Sequence, residues 1–366
     1  MTENIKITWY RCKVDKALMS ELMKKSDARA FLQVIPSLGL FALTGTLAYL
    51  AFLHLNASNW PTALPLLLLA LFAHGTHASF FGGIACHEFC HKTPFATQSL
   101  NTFFLYVYSF LGWFDPTGYR ASHVRHHQVT VHTDYDGEIV QPLGLDWRGL
   151  KFFVTVLTFS PTGFFKLMRF WVCAAFNNFR YDGFLNAKWF QRVVPETDEK
   201  GRRAVRNWAR VMVLGHLALA TAFILTGHWF LIVIVNFGAL YCVWFVFVCG
   251  AAQHVGLQSD VPDFRLNTRS YTCGWFPAFC YWNMQYHVEH HMFPAVPFYN
   301  LPRLREAIKH DLPPAAHGLW PLWRDELLPI MRRQHKDPSY RHVQPLPSNE
   351  GDRATDTTLL SEAAQS

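Results

Sequence analysis

Charged residues are scarce in this chain. Asp, Glu, Lys and Arg make up 16% of its 366 residues, whereas a soluble domain usually contains about a quarter. Hydrophobic residues account for 51% and aromatic residues for 16%. This balance argues against a soluble globular protein and favours an integral membrane protein, in which Trp and Tyr are enriched at the headgroup level.

Several common site patterns are also missing. The 8 Cys form no C-x-x-C pair and no spacing typical of secreted disulfides, and we interpret Cys86 and Cys90 as small buried apolar residues. No glycine-rich dinucleotide fingerprint is present. The basic residues give a net charge of +7 but form no stripe interleaved with aromatics. They therefore predict contact with anionic lipid and exclude a nucleic-acid partner.

Long hydrophobic runs occur in two pairs. The first pair covers residues 31 to about 55 and about 62 to 85, and the second covers 208 to about 226 and 229 to about 249. These lengths suit spanning helices, which need ~20 apolar residues. Because only short polar breaks separate the members of each pair, the sequence predicts an all-α integral membrane protein with four transmembrane helices in two hairpins.

Lys and Arg are absent from both hairpins between their outer ends. None occurs between Arg29 and Lys92 or between Arg210 and Arg265. By the positive-inside rule, both termini are expected to be cytoplasmic. The predicted organisation is a cytosolic segment (1–30), a membrane domain with a cytosolic helical cap (31–335) and a disordered polar tail (336–366). Within the cap, the aromatic segments 102–106 and 152–176 are expected to be interfacial or re-entrant helices.

Histidines are concentrated in three clusters: a first (His87, His91), a second (His123, His126, His127) and a third (His287, His290, His291). Residues three and four apart lie on one face of a helix, so each cluster can aim its rings at one point. Neutral nitrogen donors without matching Cys or Asp ligands indicate a borderline transition metal such as iron or zinc. An even number of predicted crossings separates the clusters, so all three are expected on the cytoplasmic face.

The cluster pattern resembles the membrane fatty-acid desaturase and hydroxylase superfamily. The shared features are H-x3-H, H-x2-H-H and a final H-x2-H-H, divided by a two-span hairpin, and the run HVEHHMFPAVPFYNL at 287–301 is especially similar to the last box. The resemblance covers roughly residues 74–311 and extends to a bacterial branch of hydrocarbon oxygenases. It implies that the eight clustered histidines are catalytic and bind two iron ions, with O₂ as oxidant and a substrate tunnel that enters the membrane.

Further residues around the clusters are candidates for the site, one from the resemblance and the others from their chemistry. Related enzymes often place a further ligand between the last span and the final box, and that role falls on His254. Other residues are expected to hold the ligand imidazoles by accepting their second N–H; the candidates are Glu88, Asp134, Asp136, Asn283, Glu289 and His132. Asp134 and Asp136 are equally compatible with ordinary loop carboxylates. His74 and His77 lie within the second span, where they either line the tunnel or bond to a neighbouring helix.

The predicted reaction is oxidation of an unactivated C–H bond in a fatty acyl or other lipid-like substrate. Desaturation is the first prediction, and hydroxylation or another monooxygenation, including oxidative demethylation, is the alternative on the same scaffold. A different class is suggested by residues 87–91, HEFCH, which match the HExxH motif of zinc metalloproteases. That interpretation leaves two complete H-x2-H-H clusters unused. A metal transporter is disfavoured because the spans contain no charged pair to mark a transport path.

The reductant is expected to come from a separate protein. The sequence has neither a dinucleotide fingerprint nor the His-Pro-Gly-Gly haem signature of a fused cytochrome domain. We therefore predict a ferredoxin, or cytochrome b5 with its reductase, as the electron donor. Arg120, Arg125, Arg303 and Arg305 would suit an acidic partner, or alternatively phospholipid headgroups. The expected location is the endoplasmic reticulum or a bacterial inner membrane, as a multi-pass protein.

Overall fold

The described chain is predominantly helical. The computed structural model describes residues 5–138, 150–179 and 186–347. Within these ranges it contains long apolar helices, a group of shorter helices and a two-stranded parallel sheet.

The N-terminal part forms a surface helix and a long helical hairpin. Its elements are α1 (Lys16–Leu22), α2 (Asp27–His54), α3 (Trp60–Ala78), a π-helical turn (Phe81–Ala85) and α4 (Cys86–His91). The Ser26 hydroxyl caps α2 by accepting a hydrogen bond from the backbone N–H of Arg29. Pro61 lies in the first turn of α3, where a backbone N–H has no helical partner. From α3 to α4 the chain continues as one helical stretch that ends in the first histidine cluster.

The middle part consists of shorter helices. They are α5 (Gln98–Leu111), α6 (Pro116–Val129), α7 (Leu150–Leu157), α8 (Pro161–Ala175) and α9 (Ala187–Val193). The Asp115 side chain caps α6 by accepting a hydrogen bond from the N–H of Thr117 at 3.0 Å. This cap fixes the start of α6, the helix that carries the second cluster.

The C-terminal part starts with a long helix and continues through short elements. They are α10 (Glu199–Leu225), a π-helical turn (Ile232–Asn236), a 3₁₀ turn (Gly238–Leu240), α11 (Trp244–Ala251), α12 (Phe264–Asn267), β1 (Tyr271–Thr272), α13 (Trp275–Cys280), α14 (His287–Met292), a 3₁₀ turn (Phe298–Asn300), α15 (Leu301–Ile308), a 3₁₀ turn (Lys309–Asp311), β2 (Ala316–His317), α16 (Leu319–Pro321), a π-helical turn (Leu322–Leu327) and α17 (Leu328–Lys336). Tyr271 of β1 lies opposite Ala316 of β2. The third histidine cluster lies on α14.

Three helices of the described chain are long and apolar enough to cross a membrane. They are Asp27–His54, Trp60–His91 and Glu199–Leu225. Leucines such as Leu43 and Leu69 are more than half exposed on these helices. Apolar surfaces of this kind suit contact with the hydrocarbon core of a lipid bilayer.

The predicted fourth span, 229 to about 249, is not a continuous helix. It contains a π-helical turn, a 3₁₀ turn and Cys242 at φ +54° before α11 begins. Partners from other parts of the chain satisfy its irregular backbone: a ring nitrogen of the buried His74 lies 3.1 Å from the carbonyl oxygen of Ile234, and the N–H of Cys242 donates to the carbonyl of Thr158. Irregular backbone at membrane depth is tolerated where protein buries it. The sequence alone shows only an uninterrupted apolar run, so the prediction of a fourth regular helix is corrected here.

The first part of the predicted disordered tail packs against the rest of the protein. The N–H of His342 donates to the carbonyl of Gly256 at 2.7 Å. Gln344 is buried, and its side-chain amide donates to two backbone carbonyls. The predicted disorder therefore does not apply up to residue 347, because a buried polar side chain anchors this stretch. Residues 348–366, and residues 1–4 of the N-terminal segment, lie outside the described residues.

Candidate metal centre

The structure brings the eight clustered histidines and His254 together in two groups. The first group contains His87, His91, His123, His127 and His290; the second contains His126, His254, His287 and His291. Within each group, one nitrogen of every ring lies within 4.8 Å of the corresponding nitrogen of every other ring. The clusters of the sequence are therefore not the groups of the structure: each H-x2-H-H cluster contributes two rings to one group and its middle histidine to the other.

Distances within the groups suit ligands of a common metal ion. The Nε2 atom of His123 lies 3.0 Å from the Nε2 atoms of His91 and His127. In the second group, the Nε2 atom of His287 lies 3.1 Å from the corresponding atoms of His254 and His291. Two nitrogens bound to one metal at about 2.1 Å, with an angle of about 90–110° between the bonds, lie about 3.0–3.4 Å apart.

Burial and protonation state support metal binding. Among the described residues, Nε2 of His87, Nδ1 of His127 and both ring nitrogens of His290 are buried without a hydrogen-bond partner. A buried polar atom without a partner is costly, and a bound cation would satisfy it. Burial lowers the pKa of His127, His290 and His291 well below the ordinary histidine value. These rings are therefore neutral, which is the form that binds a metal.

The opposite ring nitrogens of several ligands are held by acceptors. Nδ1 of His126 donates to Asp136 at 2.8 Å, and Nδ1 of His123 donates to Glu138 at 2.6 Å. Nδ1 of His254 donates to a backbone carbonyl at 2.9 Å. Such contacts fix the tautomer and would direct Nε2 towards a bound metal ion. Burial raises the pKa of Asp136, but the contacts with His126 and with the N–H groups of Val131 and Glu138 lower it by more. The net shift is downward, so a carboxylate is present to accept the bond.

Some residues predicted to support the ligands do contact them. One carboxylate oxygen of Glu88 lies 3.0 Å from Nδ1 of its neighbour His87. Asp136 holds His126, as described above, and it also accepts a hydrogen bond from the N–H of Val131 at 2.9 Å. This carboxylate therefore joins a ligand to the turn that follows α6.

Among the described contacts, the other candidates form no hydrogen bond with a ring of the two groups. Glu289 contacts Arg305 and Ser270 rather than an imidazole, and through Ser270 it supports the start of α14. Nδ1 of His132 lies 3.1 Å from the carbonyl of Thr130. The remaining two are Asn283, which lies at φ +56° in the turn before α14, and Asp134, which is exposed.

His74 and His77 form contacts between neighbouring elements. Nε2 of His77 lies 2.9 Å from the carbonyl oxygen of Ser37 on α2, and His74 supports the broken segment described above. Neither residue lines the cavity beside the metal groups. Of the two roles open from the sequence, the structure favours contact with a neighbouring helix.

Sequence reasoning did not identify three of the supporting contacts. Glu138 holds His123 although it follows that residue by fifteen positions, after α6 has ended. Asn267 holds His254 through its backbone carbonyl, so its side chain carries no signal. The Thr130 hydroxyl lies 3.2 Å from Nδ1 of His291. A helical periodicity can reveal none of these contacts, since each depends on how loops and helices pack.

A cavity of about 470 Å³ adjoins both groups. Its polar wall includes His87 and His123 from the first group and His126, His254 and His287 from the second, and its apolar wall includes Gly83, Ile84, Phe152, Phe247, Gly250 and Ala251. The rings of Phe152 on α7 and Phe247 on α11 lie 5.0 Å apart. A long apolar molecule in this cavity would therefore lie beside both candidate metal positions.

Replacing Asp136 with asparagine is expected to lower the affinity for a divalent transition metal about 10–100-fold. An amide is a weaker acceptor than a carboxylate, so the His126 ring would be held less firmly. Metal titration of the purified metal-free protein measures the effect. Asp134→Asn is the matched control, because Asp134 is exposed only two positions away. Equal affinities in the two variants would contradict the assigned role of Asp136.

Comparison with known proteins agrees with this arrangement. A family model described as fatty acid desaturase matches residues 58–323. The Delta(6)-fatty-acid desaturase fat-3 of Caenorhabditis elegans is 26% identical over 310 residues, which cover 79% of this chain and 65% of that protein. The chain thus spans just under two thirds of the length of this curated relative. The matched range includes all three clusters and His254, and the predicted resemblance is confirmed: the chain belongs to the fatty acid desaturase family.

Proposed function

We propose that this protein is a membrane-bound, O₂-dependent oxidoreductase that introduces a double bond into a fatty acyl or other lipid-like substrate. The observation that carries the proposal is the pair of histidine groups, with five and four rings, that shares one cavity. Family membership supports the same chemistry. Two bound iron ions would supply the O₂ activation that hydrogen removal from an unactivated C–H bond requires.

The protein itself would bind, orient and shield the substrate. An acyl chain in the cavity would present its C–H bonds to both groups, because rings of each group form part of the wall. Phe152 and Phe247 would exclude water from that position. Holding the reacting carbon at a fixed distance and angle decides which hydrogens are removed. Desaturation needs two hydrogens from neighbouring carbons, so the cavity would have to hold both carbons close to the metal positions.

The geometry disfavours the metalloprotease alternative. His87 and His91 do lie in one group, as HExxH requires, but that group contains five imidazoles. A catalytic zinc site has three protein ligands and an open position for water. The Glu88 side chain is 1% exposed and lies against Nδ1 of His87, so it is poorly placed to act as a general base on a metal-bound water.

Charge placement supports a cytoplasmic location for the metal centre and both termini. Residues 30–91 contain no Lys or Arg, and the tip of the first hairpin lies within this range. The first histidine cluster lies at the opposite end of the helical stretch Trp60–His91 from that tip. By the positive-inside rule, the tip faces away from the cytoplasm and the cluster faces it.

An acidic electron donor would dock on α6 in this proposal. Arg305 is engaged by the buried Glu289, and Arg303 pairs with Glu21 at 3.0 Å. Arg120 is exposed and Arg125 partly exposed on α6, the helix that carries the second cluster. His91 and His127 of the first group are also partly exposed. Electrons delivered there by a ferredoxin or cytochrome b5 would have a short path to the centre.

Expression in a host with suitable electron donors is expected to yield lipids with new double bonds and a purified protein with two irons per chain. Mass spectrometry of lipids and metal analysis measure the two quantities. New hydroxyl groups, or the loss of methyl groups, would instead identify a monooxygenase on the same scaffold. One zinc per chain without iron would overturn the proposal in favour of the protease. A variant with all three histidines of the third cluster replaced by alanine controls for the host's own enzymes.

A further inference from the structure

His254 is the one residue of the two groups that no helix holds. The other eight lie on α4, α6 and α14, whereas His254 follows the end of α11 in a turn. A helix fixes the direction of its side chains through its regular backbone, but a turn does not. The position of the His254 ring must therefore be set by contacts made to residues 252–257, which we call the His254 loop.

Arg269 holds this loop from one side. Its guanidinium donates to the carbonyl of Ala252 at 2.7 Å and to that of Val255 at 3.3 Å, so the two bonds bracket His254. The Arg269 side chain is almost completely buried, and it forms an ion pair with Glu326. A buried charge without a partner is strongly unfavourable. The Arg269 contacts therefore depend on Glu326, which lies in the π-helical turn before α17.

Gln344 holds the acceptor of His254 in a similar way. Its side-chain amide donates to the carbonyls of Arg265 and Thr268, both at 2.7 Å. These residues flank Asn267, whose own carbonyl accepts the bond from Nδ1 of His254. The Gln344 side chain therefore supports the backbone that orients the His254 ring.

The C-terminal segment that carries Gln344 also contacts the His254 loop directly, at Gly256. The carbonyl of Gly256 accepts the hydrogen bond from His342. Gly256 has φ +74°, and a Cβ atom there would lie 2.1 Å from Cγ2 of Ile330 on α17. Glycine is therefore needed both for the backbone angle and for the close packing of α17.

We propose that residues 326–344, which we call the C-terminal clasp, position His254 in the second histidine group. The inference rests on the metal centre proposed above and extends it to a segment that lies beyond the family match, which ends at residue 323. Glu326, Gln344 and His342 are positioning residues, since each acts on His254 through the backbone. Without the clasp, the second group would retain His126, His287 and His291 but lose a fixed fourth ring.

Two truncations of the full chain test the clasp. A chain that ends at Arg341 lacks His342 and Gln344, whereas a chain that ends at Pro347 keeps both and is the matched control. The shorter chain is expected to bind about half as much iron as the control. Hydrogen exchange of the amides in the His254 loop should be about tenfold faster or more, as expected for the loss of several hydrogen bonds. The long helices should exchange as before.

Point variants give the same test with less disturbance. Gln344→Ala is expected to lower iron content and speed loop exchange, whereas Val343→Ala is not, because Val343 is 58% exposed. Control-level iron in the Arg341 truncation and in Gln344→Ala would overturn the clasp and leave the proposed function intact. If the unmodified protein binds no iron, the proposed function fails, and loop exchange decides the clasp: faster exchange in Gln344→Ala supports it, and unchanged exchange overturns it.

Discussion

Replacing His287 with alanine is expected to remove about one iron per chain and to lower product formation more than about 100-fold. Removing a residue that only supports a metal ligand lowers activity about 10–100-fold, so removing the ligand itself should cost more. Nε2 of His287 lies 3.1 Å from Nε2 of both His254 and His291, so this ring is central to the second group. Its loss leaves three rings in the second group: His126, His254 and His291. Metal analysis and lipid mass spectrometry measure the two effects.

His310→Ala is the control for His287→Ala, because His310 is an exposed histidine outside both groups. His290→Ala provides a sharper comparison. His290 belongs to the same sequence cluster as His287 but to the first group, so its loss should weaken iron binding there, where four rings remain, while leaving the second group complete. The residual iron in the two variants should therefore give different spectra. Identical spectra of the two variants, or two irons in His287→Ala, would contradict the assignment of the groups.

The division of each cluster between two groups follows from helical geometry. At about 100° per residue, His127 lies about 40° to one side of His123, while His126 lies about 60° to the other side. His123 accordingly shares a group with His127, and His126 belongs to the other group. The third cluster repeats the arrangement with the groups exchanged. The H-x2-H-H spacing thus allows one short helix to contribute rings to two groups, and the prediction that each cluster aims its rings at one point was wrong for the second and third clusters.

The contacts that orient the rings were less predictable. Asp136 could be suggested because carboxylates near a histidine cluster are common partners, but Glu138 and the carbonyl of Asn267 lie at separations that no periodicity encodes. Glu289, in contrast, was predicted to contact a ligand ring and does not. It lies between two ligands in the sequence, yet on α14 it points to Arg305 and Ser270. Neighbours along a short helix face different directions, so sequence proximity to a ligand does not predict contact.

The broken fourth segment shows where hydrophobic patterning fails for a physical reason. Residues 229–249 are apolar enough to predict a regular helix, and the run contains no proline. The break depends on partners that are distant in sequence: His74 supplies a ring nitrogen to one carbonyl, Trp113 donates to the carbonyl of Asn236, and Thr158 accepts from a later N–H. Hydropathy records how apolar a segment is, but not whether other segments can satisfy an irregular backbone.

This broken segment also contributes to the proposed substrate site. Its last helix, α11, supplies Phe247, Gly250 and Ala251 to the cavity wall. Gly250 has open space beside it, since the nearest atom to an added Cβ would be the hydroxyl oxygen of Tyr281 at 3.9 Å. A Cβ atom at this position would therefore meet no clash, and because Gly250 lines the cavity, a larger side chain is expected to reduce the space there.

Gly250→Leu is accordingly expected to lower the rate on a long acyl substrate about 100-fold, the loss that a displacement of 1 Å at the reacting centre can cause. Iron content should be unchanged, because Gly250 is not a ligand, and leucine favours a helix more than glycine does. Product analysis with acyl chains of different lengths measures the effect, and the preference should shift to shorter chains. Gly39→Leu is the matched control, since Gly39 also has open space but lies exposed on α2, away from the cavity. An unchanged rate and chain-length preference in Gly250→Leu would show that the substrate does not occupy this cavity, whereas a loss of iron would show that the substitution disturbed the metal centre.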